Sequence, residues 1–363
     1  MPDTIQHGTI NQDVRRNFAS DNVTPACPEV LTAMMEGNNG NFHSYGEDPY
    51  TTQLTPLFEA VFETELAVFP LTTGTATNAL ALSAMVRPYG SVICDHSAHI
   101  ENDEGGAPEF FTAGAKIATL PSPQGRMSPE ALHEAIIRNR EKGVLAPPFQ
   151  ALSLTQSTEW GTVYSPATLD NLSKIAHQND LLVHLDGARL GNAIAHLQCS
   201  PAETTWKAGI DLLSFGGTKA GAMAAEALII FLNDRTRALL PAIPHLIKRS
   251  GHSWSKSRFL SLQLQALLKD GLWLRNGAHA NKMASLLRTE LQRHPGAHMP
   301  FDGESNEVFV VLPEALLQSL EESGFGFYRY PTPEGVAGQL VRFVTSFHTR
   351  EQDIEGLVQA INQ

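Results

Sequence analysis

Short apolar runs alternate with amphipathic segments between about residues 66 and 232. The runs read LAVF, SVICD, KIATL, ALSL, LLVHLD, DLLSF and ALIIFL. Most are continuously apolar, which is typical of strands buried on both faces of a sheet. Segments between them, such as SPEALHEAIIRNREKG and SPATLDNLSKIAHQND, begin at a serine and end near Gly or Asn, as helices do. The alternation predicts an α/β layer, a mostly parallel seven-stranded sheet sandwiched by helices.

The pattern changes after residue 250. A long helical region, SRFLSLQLQALLKDGLWLRNGAHANKMASLLRTELQRH, precedes two strand-like runs, VFVVLP and QLVRFVTSF, and a closing helix, TREQDIEGLVQAINQ. These elements predict a smaller α+β domain. A chain of 363 residues also exceeds the size at which one core usually stops growing. We therefore expect an N-terminal arm (1–20), a large domain (21–250) and a small C-terminal domain (251–363).

The composition narrows the class of protein. A hydrophobic fraction of 42% with 18% charged residues is typical of a soluble, well-packed protein. The net charge of −12 disfavours nucleic acid and membrane surfaces as partners, because both are bound through clustered Lys and Arg. Cys27, Cys94 and Cys199 fit neither a disulfide framework nor a zinc site, and the first residues lack the apolar core of a signal peptide. We expect a cytoplasmic protein.

Two segments carry charged groups at the ends of apolar strands. In DLLSFGGTKAG, Lys219 is either a surface residue of a loop or an amine that attacks an aldehyde. In LLVHLDGARLGNA, Asp186 ends a strand, where a carboxylate is costly unless it meets a cation such as a protonated pyridine nitrogen. Arg189 has the geometry to clamp a substrate carboxylate, and the alternative is a structural Asp–Arg ion pair.

Two more segments supply polar groups. In FPLTTGTATNALALSAMV we expect a strand to end at Phe69 and a helix to begin near Thr75. The N–H groups at such a helix start bind phosphate, although an ordinary capped turn has the same pattern. In SVICDHSAHIENDEGG, His99 is placed to lie over a cofactor ring and to move a proton near neutral pH. The spacing of His96, His99 and Glu104 matches no standard metal motif, so we expect no metal.

These groups, taken in chain order, predict a pyridoxal 5′-phosphate enzyme whose cofactor is held as a Schiff base on Lys219. A nicotinamide dehydrogenase is disfavoured because no G-x-G-x-x-G follows a strand. An α/β-hydrolase is disfavoured because GHSWS at Gly251 lacks the final glycine of a nucleophile elbow. A non-catalytic protein of this fold would be expected to lack Lys219 or Asp186, and both are present.

The chain resembles a known family over roughly residues 18–360. The stretches SDN, YGEDPYTTQL, TTGTATN, EGGAPEFF, LDGARLGNA, FGGTKAG and VRFVTSF are similar, in this order, to the low-specificity L-threonine aldolases. These belong to the aspartate-aminotransferase-like, fold type I pyridoxal-phosphate enzymes. The resemblance implies a lyase that cleaves L-threonine or L-allo-threonine to glycine and an aldehyde. Phenylserine cleavage and β-elimination from other amino acids stay open as alternatives.

The resemblance also implies roles for individual residues. Lys219 would carry the cofactor and Asp186 would pair with its pyridine nitrogen. His99 would stack on the ring, while Gly74 and Thr75 would bind the phosphate.

For the substrate carboxylate, the resemblance implies Ser20, Arg189 and Arg342. Arg342 also interrupts a strand-like apolar run in QLVRFVTSF, where an arginine needs an anionic partner or an edge position. Family members are typically homotetramers with active sites at a dimer interface. That arrangement would place Tyr45 near a neighbouring site.

The chain departs from the family at one place. Many members carry a second histidine in a segment like LENTHN, whereas this chain reads LTQSTEWGTVY with Thr158 near that position. The base for the substrate hydroxyl is then expected to be His99, a water molecule or Glu104. The preferred aldehyde and threonine isomer stay open.

Overall fold

The computed structural model describes residues 16–362, which form two β-sheets with helices packed around them. Most of the predicted N-terminal arm, residues 1–15, lies outside the described residues. Within residues 16–362, none of the helices combines the length and the apolar character that a bilayer crossing requires.

Each of the predicted apolar runs forms one strand of a seven-stranded sheet. The strands are β1 (Leu66–Leu71), β2 (Ser91–Asp95), β3 (Lys116–Leu120), β4 (Phe149–Thr155), β5 (Leu182–Gly187), β6 (Leu212–Phe215) and β7 (Glu226–Phe231). Their order across the sheet is β1-β7-β6-β5-β4-β2-β3. The strands from β6 to β3 pair in parallel, whereas β7 is antiparallel to both of its neighbours. The predicted, mostly parallel sheet is confirmed.

Fourteen α-helices lie within the described residues. They are α1 (Pro28–Glu36), α2 (Pro49–Thr52), α3 (Leu54–Phe62), α4 (Gly74–Met85), α5 (His99–Asn102), α6 (Ala107–Phe111), α7 (Pro129–Glu141), α8 (Pro166–Gln178), α9 (Leu190–Leu197), α10 (Ile243–Arg249), α11 (Arg258–Leu268), α12 (Leu272–Leu291), α13 (Glu314–Glu322) and α14 (Glu351–Ile361). The two helices predicted from their leading serines are α7 and α8. Ser128 and Ser165 cap them by accepting backbone N–H bonds from Ala131 and Thr168.

Helices cover both faces of the large sheet, which explains why its strands are continuously apolar. On β6, Leu213 faces a core that includes Val30 of α1 and Phe58 of α3. Its neighbour Leu212 faces the opposite core, which includes Leu80 of α4. Successive side chains of a strand point to opposite faces, so both must be apolar here.

The C-terminal region forms a separate antiparallel sheet in the order β8-β10-β9, built from β8 (Glu307–Leu312), β9 (Tyr328–Tyr330) and β10 (Gln339–Val344). Strands β8 and β10 were predicted, whereas β9 is too short to show a pattern. Its core also takes in Phe18, whose carbonyl accepts the N–H of Val344 at 2.7 Å. Residues 16–19 are therefore anchored on this sheet.

The long helical region predicted after residue 250 is two helices rather than one. Asp270 and Gly271 take positive φ values of 51° and 64° and separate α11 from α12. Glycine tolerates that conformation without strain, which makes this the natural break. Leu260 and Leu264 of α11 pack in the large-sheet core with Val30. The domain division between residues 250 and 251 stays a prediction.

Helix α9, which starts directly after Arg189, lies against α12 at a pair of glycines. A Cβ atom on Gly277 would lie 2.6 Å from the backbone carbon of Gly191, and a Cβ on Gly191 would lie 2.9 Å from the carbonyl oxygen of Trp273. Because these contacts are with backbone atoms, no flexible side chain can move to make room for a Cβ atom. This contact fixes the position of α9 and of the loop that carries Arg189.

We predict that Gly277→Ala lowers the free energy of unfolding by about 1–3 kcal/mol, because the added methyl group overpacks the contact between α9 and α12. The matched control is Gly356→Ala in α14, where a Cβ atom would meet nothing within 4 Å. Alanine is the better helix former by up to about 1 kcal/mol, so the control is expected to be neutral or stabilising. Thermal unfolding midpoints at one protein concentration test this. Equal shifts for the two variants would contradict it.

Candidate active site

A cleft lies beyond the carboxyl ends of the parallel strands, where α/β proteins bind ligands. It consists of a first cavity of about 510 Å³ and an adjoining second cavity of about 700 Å³. The structure brings all the predicted site residues to its walls. The first cavity is lined by Gly74, Thr75, His99, Asp186, Arg189 and Lys219. The second is lined by Ser20, His99, Arg189, Lys219 and Arg342.

Asp186 lies at the end of β5 and is only 4% exposed. Its Oδ1 accepts the backbone N–H of Ala188 at 3.0 Å, and its Oδ2 accepts the side-chain amide of Asn78 at 2.8 Å. None of the described Lys, Arg or His side chains forms an ion pair with it. A buried carboxylate that is held but not neutralised suits a cation supplied by a ligand.

Asn78 links Asp186 to a second carboxylate. Its amide nitrogen also donates to Oε1 of Glu104 at 2.7 Å, and the same oxygen lies 2.9 Å from Nδ1 of His99. Asn78 and Glu104 are both buried, so the network fixes the orientation of the His99 ring at the first cavity. Sequence reasoning gave Asn78 no role. The available signal was an asparagine within the Ala/Leu-rich helix α4.

This network alters the acidity of its members. The hydrogen bond that His99 donates to Glu104, aided by the charge of Asp186, raises the pKa of His99 against the opposing effect of burial. Burial likewise raises the pKa of Glu104. His99 therefore keeps its proton to higher pH than an ordinary histidine.

The first turn of α4 leaves backbone donors at the cavity. The side chain of Thr73 accepts the N–H of Ala76 and its carbonyl accepts that of Thr77, each at 3.1 Å. The N–H groups of Gly74 and Thr75 have no acceptor within the described residues, and a Cβ atom on Gly74 would meet nothing within 4 Å. Two free donors at the positive end of a helix, with open space beside them, suit a phosphate.

The strand before this turn ends at Leu71 rather than at the predicted Phe69, and α4 begins at Gly74.

Lys219 is partly buried just after β6 and lines both cavities. Among the described residues, its amine has neither a hydrogen bond nor an ion pair. The turn before it is held by Glu226, whose carboxylate accepts the N–H of Gly217 at 2.7 Å and that of Thr218 at 3.4 Å. Burial raises the pKa of Glu226 to about 7. The turn is thus fixed while the amine stays free to react.

Arg189 and Arg342 belong to a buried charge cluster, which we define as Asp21, Arg189, Glu307 and Arg342. Arg189 contacts Asp21 through two bonds, Nε to Oδ2 at 2.9 Å and Nη2 to Oδ1 at 3.1 Å. Oε1 of Glu307 lies 3.3 Å from Nη1 of Arg189 and 3.0 Å from Nη1 of Arg342. Sequence reasoning missed both carboxylates. The available signal for Glu307 was an acid at the start of the apolar run VFVVLP.

The charge cluster changes the acidity of Asp21. Burial alone would raise the pKa of Asp21, but the charges of Arg189 and Lys219 outweigh it and hold that pKa below its usual value. Nη1 of Arg342 bonds to Glu307 and its Nη2 donates to the carbonyl of Ala19 at 3.4 Å, so this guanidinium is held in place at the wall of the second cavity. Ser20 lies beside the cluster, where its hydroxyl accepts the N–H of Asn22 at 3.1 Å.

Two other positions considered from the sequence lie away from the cleft walls. Thr158 is buried, and its hydroxyl lies 2.7 Å from that of Thr162. It lines neither cavity, whereas its neighbour Glu159 lines both. Tyr45 is 56% exposed, with the amine of Lys248 4.8 Å from its ring centroid. Its expected place at a neighbouring site stays a prediction.

Across residues 16–362, no group of three or more His, Cys, Asp or Glu side chains is arranged to hold a metal ion.

Comparisons with known proteins identify the family to which the chain is similar. The model of the family described as beta-eliminating lyase matches residues 17–315. The chain is 40% identical to the low specificity L-threonine aldolase of Pseudomonas sp. and 39% identical to that of Pseudomonas aeruginosa, each over 96% of this chain and 98% of the relative. A solved structure of Leishmania major threonine aldolase is similar with a TM-score of 0.88 and 30% identity, covering 95% of this chain and 98% of that one.

We predict that Glu104→Gln lowers the pKa of His99. A neutral amide preserves the hydrogen bond but removes the negative charge that stabilises the imidazolium form. The measurement is an NMR titration of the labelled histidine rings in the protein without added ligand. Glu101→Gln removes an exposed carboxylate from α5, the short helix that contains His99, and serves as the control. An unchanged His99 pKa in Glu104→Gln would show that the raised value has another origin.

Proposed function

The chain belongs to the beta-eliminating lyase family, and from this premise we propose that it is a pyridoxal 5′-phosphate-dependent lyase cleaving L-threonine and L-allo-threonine to glycine and an aldehyde. The observation that carries the proposal is near-full-length identity of 40% to a low specificity L-threonine aldolase. The convergence of Lys219, Asp186 and Arg189 in one cleft supports the same chemistry from the residues themselves.

The residues present fit the proposed cofactor. The free N–H groups of Gly74 and Thr75 suit its phosphate, and the un-neutralised Asp186 suits its protonated ring nitrogen. Lys219 supplies the amine for covalent attachment, and His99 borders the space in which the ring would lie. The cavity of about 510 Å³ is in the size range of cofactor sites.

Pyridoxal phosphate, when bound, supplies an electron sink for the pair of the breaking Cα–Cβ bond. The protein's part is to fix the acidity and position of the groups around that bond. Asp186, held by Asn78 and the Ala188 N–H, would bind the ring nitrogen of the cofactor through a charge-assisted hydrogen bond. The Glu104 bond prevents the His99 ring from rotating.

Arg189 and Arg342 provide the substrate-carboxylate site in this proposal, with Ser20 beside them. Asp21 and Glu307 hold both guanidinium groups in fixed positions before substrate arrives. Two guanidinium groups held in place in this way orient the bound substrate. They determine which substrate bond is perpendicular to the cofactor ring, and that bond is the one that is cleaved.

We also propose a cytoplasmic homotetramer with active sites at a dimer interface. Exposed apolar side chains lie on and around α1, including Leu31, Met35 at 78% exposure and Met223. The backbone N–H of Met223 bonds to the side chain of Gln263 in α11, and α11 packs against α1. Large exposed apolar areas typically mark interaction surfaces.

The substrate proposal predicts equimolar glycine and aldehyde from L-threonine and L-allo-threonine. Glycine, the aldehyde and 2-oxo acid are measured in parallel, with phenylserine as a third substrate. Aldol cleavage yields glycine, whereas β-elimination yields the oxo acid and ammonia. Oxo acid as the main product, or turnover of phenylserine alone, would overturn the proposed substrate class.

The cofactor proposal predicts that Lys219→Ala abolishes threonine cleavage and the borohydride-reducible yellow chromophore, because no other amine of the cleft forms the covalent link. Lys142→Ala removes an exposed lysine and is expected to keep both. Absorption spectra before and after reduction, followed by mass spectrometry of the labelled peptide, measure the outcome. Retention of the reducible chromophore in Lys219→Ala would disprove the assignment.

A further inference from the structure

The loop after β4 brings a carboxylate into the cleft to which the sequence analysis gave no role. Strand β4 lies between β2, which leads to His99, and β5, which carries Asp186. Glu159 follows β4 and lines both cavities, as do His99, Arg189 and Lys219. It therefore lies where the amine site meets the carboxylate site, which is where the reacting bond of a substrate must be.

The neighbours of Glu159 are anchored, but its carboxylate is not. Thr158 donates its N–H to the carbonyl of Thr162 at 2.9 Å, and the Trp160 ring packs 4.7 Å from Phe301 and 5.2 Å from Phe309. Within the described residues the Glu159 carboxylate has no hydrogen bond and no ion pair. A partly buried carboxylate without a partner is costly, so its presence in a rigid loop suggests that a ligand completes it.

Four charged side chains act on the carboxylate of Glu159. Burial, followed by the negative charges of Asp186 and Glu307, raises its pKa to about 7 against the opposing charges of Lys219 and His99. Across the second cavity, Glu159 in turn helps to raise the pKa of Arg189 and of Tyr330. A carboxylate that titrates near neutral pH is effective both in taking up and in releasing a proton.

The other candidates for the base are less suitable. Nδ1 of His99 is committed to Glu104, and the raised pKa of His99 lowers the fraction in the basic form near neutral pH. Oε1 of Glu104 is shared by His99 and Asn78, and its Oε2 is buried away from solvent. The hydroxyl of Thr158, which lies near the position of the second histidine of similar chains, is engaged with Thr162 outside the cleft.

We propose that Glu159 is the general base that removes the proton from the 3-hydroxyl group of the substrate, an inference that rests on the proposed function. The hydroxyl proton passes to the Glu159 carboxylate, and the O–H electron pair becomes the second bond of the aldehyde carbonyl. The Cα–Cβ pair stays with Cα, which takes up one proton to give glycine. Glu159 then releases its proton to solvent, so the step balances without an oxidant or reductant.

The decisive variant is Glu159→Gln, which keeps the shape of the side chain but cannot accept the proton. We expect kcat for L-threonine to fall by about 10²-fold or more, with KM changed less than about threefold. The acid limb of kcat/KM near pH 7 should disappear, because it reports ionisation of this carboxylate. Glu159→Asp is expected to recover part of the rate.

Exchange of the glycine α-proton tests the other groups of the active site separately from the base that acts on the hydroxyl. An enzyme that forms glycine by protonating Cα must also exchange the glycine α-proton with deuterium, and that exchange needs no hydroxyl base. Glu159→Gln is therefore expected to keep glycine exchange within about threefold. Glu101→Gln, which removes an exposed carboxylate that lines neither cavity, serves as the charge control and should keep both reactions.

The protein without cofactor provides an independent measurement. In infrared spectra recorded across pH 7, the wild type minus Glu159→Gln difference should show one protonated carboxyl band that disappears as pH rises. The subtraction removes the band of Glu226, which titrates in the same range.

Absence of the Glu159 band overturns the proposal, as does cleavage by Glu159→Gln at the wild-type rate or loss of glycine exchange in that variant. A wild-type enzyme that exchanges glycine but cleaves no 3-hydroxy amino acid overturns the proposed function as well.

Discussion

The buried charge cluster joins parts of the chain that are far apart in sequence. Asp21 comes from the N-terminal segment, Arg189 from the end of β5, and Glu307 and Arg342 from the C-terminal sheet. Removing one partner would leave an uncompensated buried charge, which typically costs several kcal/mol. The requirement for mutual neutralisation therefore holds the C-terminal sheet against the carboxyl edge of the large sheet. That contact creates the cleft and the arginine pair in its wall.

A second network, made of hydrogen bonds, positions the side chains in the opposite wall of the cleft. Asn78, reaching in from α4, bonds to Asp186 and Glu104 at once, and Glu104 bonds to His99. One amide thereby couples the carboxylate proposed to meet the cofactor nitrogen with the histidine proposed to flank its ring. Because Asn78 lies one turn into α4, the same helix presents free N–H groups at its start and positions the acids behind the ring.

The carboxylates of the cleft have different environments and hence different roles. Asp186 is held by two donors, whereas Glu226 is used to fix the Lys219 turn. Glu104 orients a histidine, and Glu159 is left without a partner at the junction of the two cavities. Residue type alone does not distinguish these roles, because each follows from which donors lie within reach.

The sequence by itself determined the order of the strands along the chain, the parallel character of most of the sheet, and the placement of Lys219, Asp186, Arg189 and His99 at strand ends. Those features are local, because apolar runs and the polar residues that end them are read from neighbouring positions. It could not reveal strand β9, the break between α11 and α12, or the partners Asn78, Asp21 and Glu307. A three-residue strand carries no pattern, and a hydrogen-bond partner 168 residues away, as between Asp21 and Arg189, is selected by spatial proximity. Only the tertiary structure decided which acids are neutralised and left Glu159 facing the cleft, because burial and pairing depend on packing between distant segments.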